Sequence, residues 1–191
     1  MNTRFLLTFL ILEIAISVIA RLLPHAPNFA PIAALALFAG VYASKASKWY
    51  LFTPVAAMLV SDLFVGFYEP RTMAVVYASF FAIGLIGFLV RMCDSRFHTS
   101  RFYAVGLAAV SGSLLFYFTT NFAVWAFSGM YTPTLDGLLL SYYMALPFFK
   151  FTLLGDLFYV SLFFGIYEFA TSLIAKHNYG SATVTTTANS N

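Results

Sequence analysis

Charged side chains are scarce in this sequence. Lys, Arg, Asp and Glu make up 9% of its 191 residues, against about 25% in soluble domains. Hydrophobic residues make up 61%. A deficit of this size excludes an ordinary soluble domain. Because a transmembrane helix needs about 20 apolar residues, the length accommodates about six spans and leaves no room for a second folded domain.

Cysteine and catalytic motifs are scarce as well. The single cysteine, Cys93, excludes an intramolecular disulfide and a Cys-based zinc site. The sequence has no phosphate-binding P-loop, no His-Glu-x-x-His and no Gly-x-Ser-x-Gly, and His25, His98 and His177 belong to separate predicted loops. We therefore predict no enzymatic activity, no metal site and no cofactor. The net charge of +3 arises from cations between apolar runs, so the expected partner is the lipid bilayer and not nucleic acid.

The apolar runs predict an all-α, polytopic membrane protein with about six transmembrane helices. A short amphipathic piece, Thr134–Ala145, is expected before Pro147. The predicted helices are Arg4–Leu22, a second one from after Asn28 to about Ala43, Trp49–Phe67, Thr72–Met92, Phe102 to about Phe127, and Phe148 to about Ala175.

The domain organisation follows from the same pattern. Residues 1–177 are predicted to form a single transmembrane domain. Residues 178–191 are polar and have almost nothing to bury, so we expect a disordered C-terminal tail. The first run resembles a signal peptide in its basic start at Arg4, but its length and the interruption at Glu13 favour an uncleaved helix.

Orientation is predicted from the positive-inside rule. With the N-terminus inside, the cytoplasmic segments hold seven cations and the outer segments hold three, so both termini are expected in the cytoplasm. The seven are Arg4, Lys45, Lys48, Arg91, Arg96, Arg101 and Lys176, and the three are Arg21, Arg71 and Lys150.

Polar side chains inside apolar helices are costly and mark functional candidates. In the predicted topology they gather in the outer halves of the helices, with no comparable cluster in the inner halves. We therefore predict an outward-facing, substrate-binding pocket formed by Asn28, Asp62, Asn121, Trp125, Asp156, Thr152 and Tyr159.

Four of the candidates also have a structural interpretation. Asn28 is a possible N-cap of the second helix, and Trp125 a possible anchor at the membrane interface. Asp62 and Asp156 are possible partners of Arg21, Arg71 or Lys150 in ion pairs that fix helix packing. Glu13 stands apart near the middle of the first helix, where proton coupling is a further hypothesis.

The two halves of the sequence echo each other. Asn28-Phe-Ala recurs as Asn121-Phe-Ala, and Asp62-Leu-Phe recurs as Asp156-Leu-Phe. Transporters often contain such repeats, with the binding site at their interface. Inverted three-helix copies would, however, place the two aspartates on opposite sides of the membrane, whereas the predicted helices place both outside. A duplication is therefore left open.

Four blocks of the sequence form recognisable motifs. They are residues 21–38 (Arg-Leu-Leu-Pro-His-x-Pro-Asn-Phe-x-Pro-Ile-Ala-Ala-x-Ala-Leu-Phe), 61–67 (Ser-Asp-Leu-Phe-x-Gly-Phe), 120–125 (Thr-Asn-Phe-x-Val-Trp) and 147–156 (Pro-Phe-Phe-x-x-Thr-Leu-Leu-Gly-Asp). Together they resemble an uncharacterised bacterial family of membrane transport proteins. The resemblance covers roughly residues 20–170, and the first block is fairly specific. That family more distantly resembles the substrate-binding S components of energy-coupling-factor transporters.

The resemblance implies an S-component-like six-helix bundle in the bacterial inner membrane that captures a vitamin-like molecule or a metal ion. It also implies a separate energising transmembrane subunit and ATPases as partners, with small-residue faces on helices 1 and 2 suited to docking. The alternative is a non-transporting structural or accessory subunit whose polar residues only hold helices together.

Overall fold

Six α-helices and no strand form the described part of the chain. The computed structural model describes residues 3–24, 28–42, 44, 46–94 and 101–188, with backbone alone beyond residue 176. The loop residues His25, Lys45, Arg96 and His98 lie outside these ranges. The helices are α1 Thr3–Leu22, α2 Ile32–Val41, α3 Thr53–Val65, α4 Pro70–Asp94, α5 Arg101–Phe127 and α6 Leu135–Ala188, and a short 3-10 helix, Lys48–Phe52, leads into α3.

The prediction of a helical membrane bundle is confirmed. Five helical stretches are long and apolar enough to cross a membrane, and the chain is therefore a multi-pass membrane protein. They are Thr3–Leu22, Lys48–Val65, Pro70–Cys93, Arg101–Phe127 and Leu135–Lys176. Its orientation stays a prediction from the charge distribution.

The second predicted helix is much shorter than expected. The ten residues of α2 rise about 15 Å, half of the hydrocarbon thickness, so α2 is not a full span. All ten residues are buried, because α2 packs at the centre of the bundle against each of the other helices, chiefly α4. The apolar run predicted a helix correctly, but the ten residues of α2 are buried inside the protein and are too short to span the membrane.

Glycine makes the α2–α4 contact possible. An ideal Cβ on Gly40 would lie 2.2 Å from the carbonyl oxygen of Gly84, and one on Gly87 would lie 2.5 Å from that of Leu37. No other residue fits at either place without moving the helices. The small-residue face of helix 2 is thus used inside the bundle, in close packing against α4, and docking of a partner subunit stays a prediction.

The last helix differs from its prediction in continuity. The segment predicted as a separate amphipathic piece and the sixth span form one helix, α6, with Pro147 inside it. Contacts with α5 hold the first part in line, since the Tyr117 hydroxyl donates to the carbonyl of Tyr142 at 2.6 Å. The backbone continues as helix to Ala188, and disorder of the tail stays a prediction.

The successive helices bring alternate ends together. One end, called here the Asn28 end, joins the C-terminal ends of α1, α3 and α5 to the N-terminal ends of α2 and α4 and to α6. The opposite end, the Tyr42 end, is filled by aromatic rings: Tyr167 lies 5.0 Å from Phe38 and 4.7 Å from Tyr42 between ring centroids. These rings form the packed core between the Tyr42 end and the Asn28 end.

Candidate functional site

A cavity of about 330 Å³ lies at the Asn28 end. All six helices or their connections contribute to its wall, which is mainly apolar with a few polar groups. The polar contributors are Arg21, Asn28, Tyr68, Thr152 and Asp156, and the apolar ones include Ile32, Met58, Val76, Phe80 and Phe116. A mainly apolar wall with a few convergent polar groups is typical of small-molecule sites.

A second cavity of about 320 Å³ adjoins the first. The two share wall residues, among them Asn28, Thr152 and Tyr68. The second one adds Asn121 and Thr120 from α5. Four of the seven predicted site residues, Asn28, Asn121, Thr152 and Asp156, therefore line one or both of these adjoining cavities.

Asn28 reaches the cavity through a non-helical segment before α2. Its φ is +61°, a left-handed conformation that Asn tolerates better than most residues. The next residue, Phe29, packs its ring on Tyr159 at 5.5 Å, and Gly155 permits this approach because a Cβ there would lie 3.1 Å from the Phe29 ring. Irregular backbone at membrane depth is tolerated where it lines a cavity.

The N-cap interpretation of Asn28 is wrong. Helix α2 begins at Ile32 with Pro31 as its N-cap, and no side chain caps it. The first backbone N–H groups of α2 therefore have no partner from a capping side chain, and Ile32 and Ala33 lie in the cavity wall. The positive end of the α2 dipole thus contributes to the potential at this wall.

Asp62 is an ion-pair partner and not a wall residue of either cavity. It is fully buried, with Oδ1 2.7 Å from Nη2 of Arg21, and Oδ2 accepts a hydrogen bond from the Tyr77 hydroxyl at 2.5 Å. Arg21 also donates to Ser61 and to the sulfur of Met58. The position of Asp62 thus fits the structural interpretation, an ion pair between helices. Its partner Arg21 lies in the wall of the first cavity.

Asp156 is placed differently. It is 3% exposed and lies in the wall of the first cavity. Its Oδ2 accepts a hydrogen bond from the Ser113 hydroxyl at 2.6 Å, and no Lys or Arg among the described residues forms a salt bridge with it. Lys150 lies elsewhere, with Nζ 4.8 Å from the centre of the Phe151 ring. The ion pair suggested for Asp156 is therefore not found.

Trp125 and Tyr159 lie outside the described walls of both cavities. The indole N–H of Trp125 donates to the carbonyl of Thr132 at 2.9 Å, which ties the α5–α6 connection to α5. Anchoring at the membrane interface stays a prediction. Tyr159 supports Phe29, and so positions the segment that carries Asn28. Contact of Trp125 and Tyr159 with a solute stays a prediction.

Sequence reasoning missed several polar contributors. Tyr77 and Ser113 donate hydrogen bonds to the two aspartates. The sequence did not mark them as candidates, because a single Tyr or Ser is common in an apolar helix and costs little energy there. It also missed a cluster at the Tyr42 end, where Glu168 accepts from the Tyr42 hydroxyl and from Arg101 at 3.1 Å. The expectation that the inner halves lack a comparable polar cluster is wrong; Glu168, an acid within the sixth apolar run, was the available signal.

Glu13 is buried on the inward face of α1. It is 1% exposed, and both of its carboxylate oxygens lack a hydrogen-bond partner among the described residues. Ser17, one turn further along, is fully buried with its hydroxyl likewise unpartnered there. A role of Glu13 in proton coupling stays a prediction.

Two titratable groups lie in the α3–α4 connection, outside the spans. Burial raises the pKa of the Tyr68 phenol, with Asp62 adding to this effect and Arg21 opposing it. Tyr68 is thus a neutral hydroxyl at the cavity wall. The backbone N–H of Thr72 donates to the carboxylate of Glu69 and holds the pKa of Glu69 below its ordinary value.

Comparison with known proteins gives one family. A family model described as a family of unknown function, DUF6580, matches residues 1–179. No curated protein and no solved structure matches the chain.

Proposed function

Since the chain belongs to DUF6580, a family of unknown function, we propose from its site that it captures a small organic solute in the cavity at the Asn28 end. One observation carries the proposal: polar side chains from distant parts of the sequence, including Arg21, Asn28, Thr152 and Asp156, meet in the wall of one cavity. Burying polar groups in a membrane protein is costly, and a bound solute would use them.

The size of the cavity supports an organic solute. Its 330 Å³ falls at the lower end of the range for small-molecule sites, about 300–1,000 Å³. A metal ion, the other solute implied by the family resemblance, is bound by several oxygen, nitrogen or sulfur ligands. No group of three His, Cys, Asp or Glu comes together within the described residues, so we place the organic solute first.

The positive-inside topology would place the Asn28 end outward, and the proposal then becomes capture from outside the cell. The S-component resemblance would add an energising subunit and ATPases as partners. The sequence has no P-loop, which supports a division of roles in which separate subunits hydrolyse ATP. Co-purification of the full chain from its own host, followed by identification of associated subunits, tests this part separately.

Solute capture is tested by native mass spectrometry of the full chain, gently solubilised from its own host. We expect a reproducible adduct of small-molecule mass. Val76→Phe, in the wall of both cavities, should abolish the adduct by filling the space. Leu85→Phe is the matched control, because Leu85 lies on the same helix but is exposed on the outer surface.

The structural alternative makes the opposite prediction. It is favoured by the Arg21–Asp62 ion pair, which has the geometry of a packing device. A bare chain, or the same phospholipid adducts on wild type and on Val76→Phe, would support this alternative over solute capture. Monodisperse elution of each variant shows that a lost adduct is not a lost fold.

A further inference from the structure

The two embedded aspartates differ in whether their charge is balanced. Asp62 has Arg21 at 2.7 Å and so contributes no net charge to the end of the bundle. Among the described residues, Asp156 has the neutral hydroxyl of Ser113 as its hydrogen-bond partner and no Lys or Arg in a salt bridge. Because Arg21 is engaged by Asp62 and Lys150 is exposed with its ammonium on the Phe151 ring, neither nearby cation supplies the missing charge. The cavity therefore has an unbalanced acid in its wall.

Another part of the cavity wall is aromatic. Phe80 of α4 and Phe116 of α5 both line the first cavity, with ring centroids 4.9 Å apart. Ring faces attract cations, especially where water is excluded, and they also pack against apolar bodies. An anionic solute would be attracted by the N-terminal end of α2, which is equivalent to about half an elementary charge, but it would gain nothing from these rings and would be repelled by the full charge of Asp156.

A carboxylate this deeply buried requires a partner when it is ionised. Its free lone pairs can accept from a donor on the solute, and an ionised donor gives the stronger hydrogen bond. The charge balance of the cavity is completed by one positive charge on the solute.

We propose that the captured solute is an organic cation, with a protonated amine or comparable donor at Asp156 and an apolar or aromatic body against Phe80 and Phe116. This inference rests on the proposed function, since it names the chemical class of solute for the same cavity. It assigns Asp156 the binding role and Asp62 the structural one.

A charge series of probes tests the assignment. Benzylamine, benzyl alcohol and benzoate have nearly the same shape and carry a positive, zero and negative charge at neutral pH. The thermal unfolding midpoint of the purified full chain is measured with each probe. Benzylamine should raise the midpoint more than the other two, and this advantage should vanish in Asp156→Asn. It should persist in Ser161→Ala, because Ser161 is exposed on α6, lies outside the walls of both cavities, and donates its hydroxyl to the carbonyl of Leu157.

The proton provides an independent check on Asp156. A proton and a cation compete for one carboxylate, so benzylamine protection should weaken as the pH falls. Among the described residues that line the cavity or contact Asp156, the other ionisable ones are Arg21, which is paired with Asp62, and Tyr68, a neutral phenol; Ser113 of α5 and the α2 wall carry no ionisable side chain. Loss of the pH dependence in Asp156→Asn would therefore identify its source.

The outcomes separate this inference from the proposed function. Stronger protection by benzoate or benzyl alcohol, equal protection by all three, or protection by none overturns the cation assignment, since a cavity of 330 Å³ has room for each probe. If the native adduct is a neutral or anionic compound that Val76→Phe removes, solute capture stands and the cation assignment fails. If no adduct is found on the wild type and no probe protects it, both fail.

Discussion

Asp62 and Asp156 begin the same tripeptide, Asp-Leu-Phe, but the fold gives them different surroundings. Asp62 lies near the end of α3, enclosed by Arg21 from α1 and Tyr77 from α4. Asp156 lies within α6, held by Ser113 from α5 and bordered by the cavity. One aspartate has a charged partner and a hydroxyl, and the other has a hydroxyl alone.

This difference separates packing from binding. An acid whose partners come from two neighbouring helices fixes their positions and leaves little capacity for a solute. An acid with spare acceptor capacity at a cavity wall contributes less to packing and more to recognition. Stability and ligand protection should therefore respond to the two aspartates in opposite ways.

The largest effect is expected for Asp62→Asn. The amide cannot neutralise Arg21, whose side chain is only 16% exposed, and stranding a buried charge costs about 3–5 kcal/mol. Chemical unfolding in detergent should show a loss of this order. The double variant Asp62→Asn with Arg21→Met should recover most of it, because replacing both members of a buried pair by uncharged residues is often nearly neutral.

A small loss in Asp62→Asn, or no recovery in the double variant, would contradict the packing role of the pair. Asp156→Asn is the matched control, since it makes the same chemical change at the second copy of the tripeptide.

The next effect compares the hydroxyls that hold the two acids. Tyr77→Phe removes the donor to Oδ2 of the fully buried Asp62 and should cost about 1–3 kcal/mol, the usual penalty for a buried acceptor left unpartnered. Ser113→Ala removes the donor to Asp156, where the cavity remains available to the carboxylate. We expect the smaller loss there, and equal losses would show that the two surroundings are energetically alike.

A smaller effect still is expected on stability from Asp156→Asn. No ion pair is broken, and the amide oxygen can still accept from Ser113, so the change in unfolding free energy should stay below about 1 kcal/mol. Benzylamine protection, in contrast, should be lost. A destabilisation as large as that of Asp62→Asn would show that Asp156 is also a packing residue.

The sequence predicted the bundle better than it predicted the site. Apolar runs indicate helices because lipid and protein interiors both exclude unpaired backbone groups, but the same run cannot tell the buried half-length α2 from a span. Topology alone placed four of the site residues at one end of the bundle: Asn28, Asn121, Thr152 and Asp156. The pairing of Arg21 with Asp62, and not with Asp156, could not be predicted from the sequence, because it depends on which helices are neighbours. The sequence echo likewise hides a difference: Asn28 lies in a left-handed turn and Asn121 inside α5.

The smallest effect concerns Glu69, an acid in the α3–α4 connection that serves as a water-exposed reference for the two buried ones. The Thr72 N–H, and less strongly Arg71, hold the pKa of Glu69 below its ordinary value of 4.5. A lowered pKa in the folded state means that Glu69 stabilises the fold above pH 4.5 and loses this contribution as the pH falls through the folded value. Glu69→Gln should therefore be slightly less stable than wild type at neutral pH and equal to it in acid, as measured by the thermal unfolding midpoint across a pH series. A gap that persists in acid would mean that the side chain acts through packing, and the Glu69 curve could then no longer serve as the baseline for reading the pH response of Asp156.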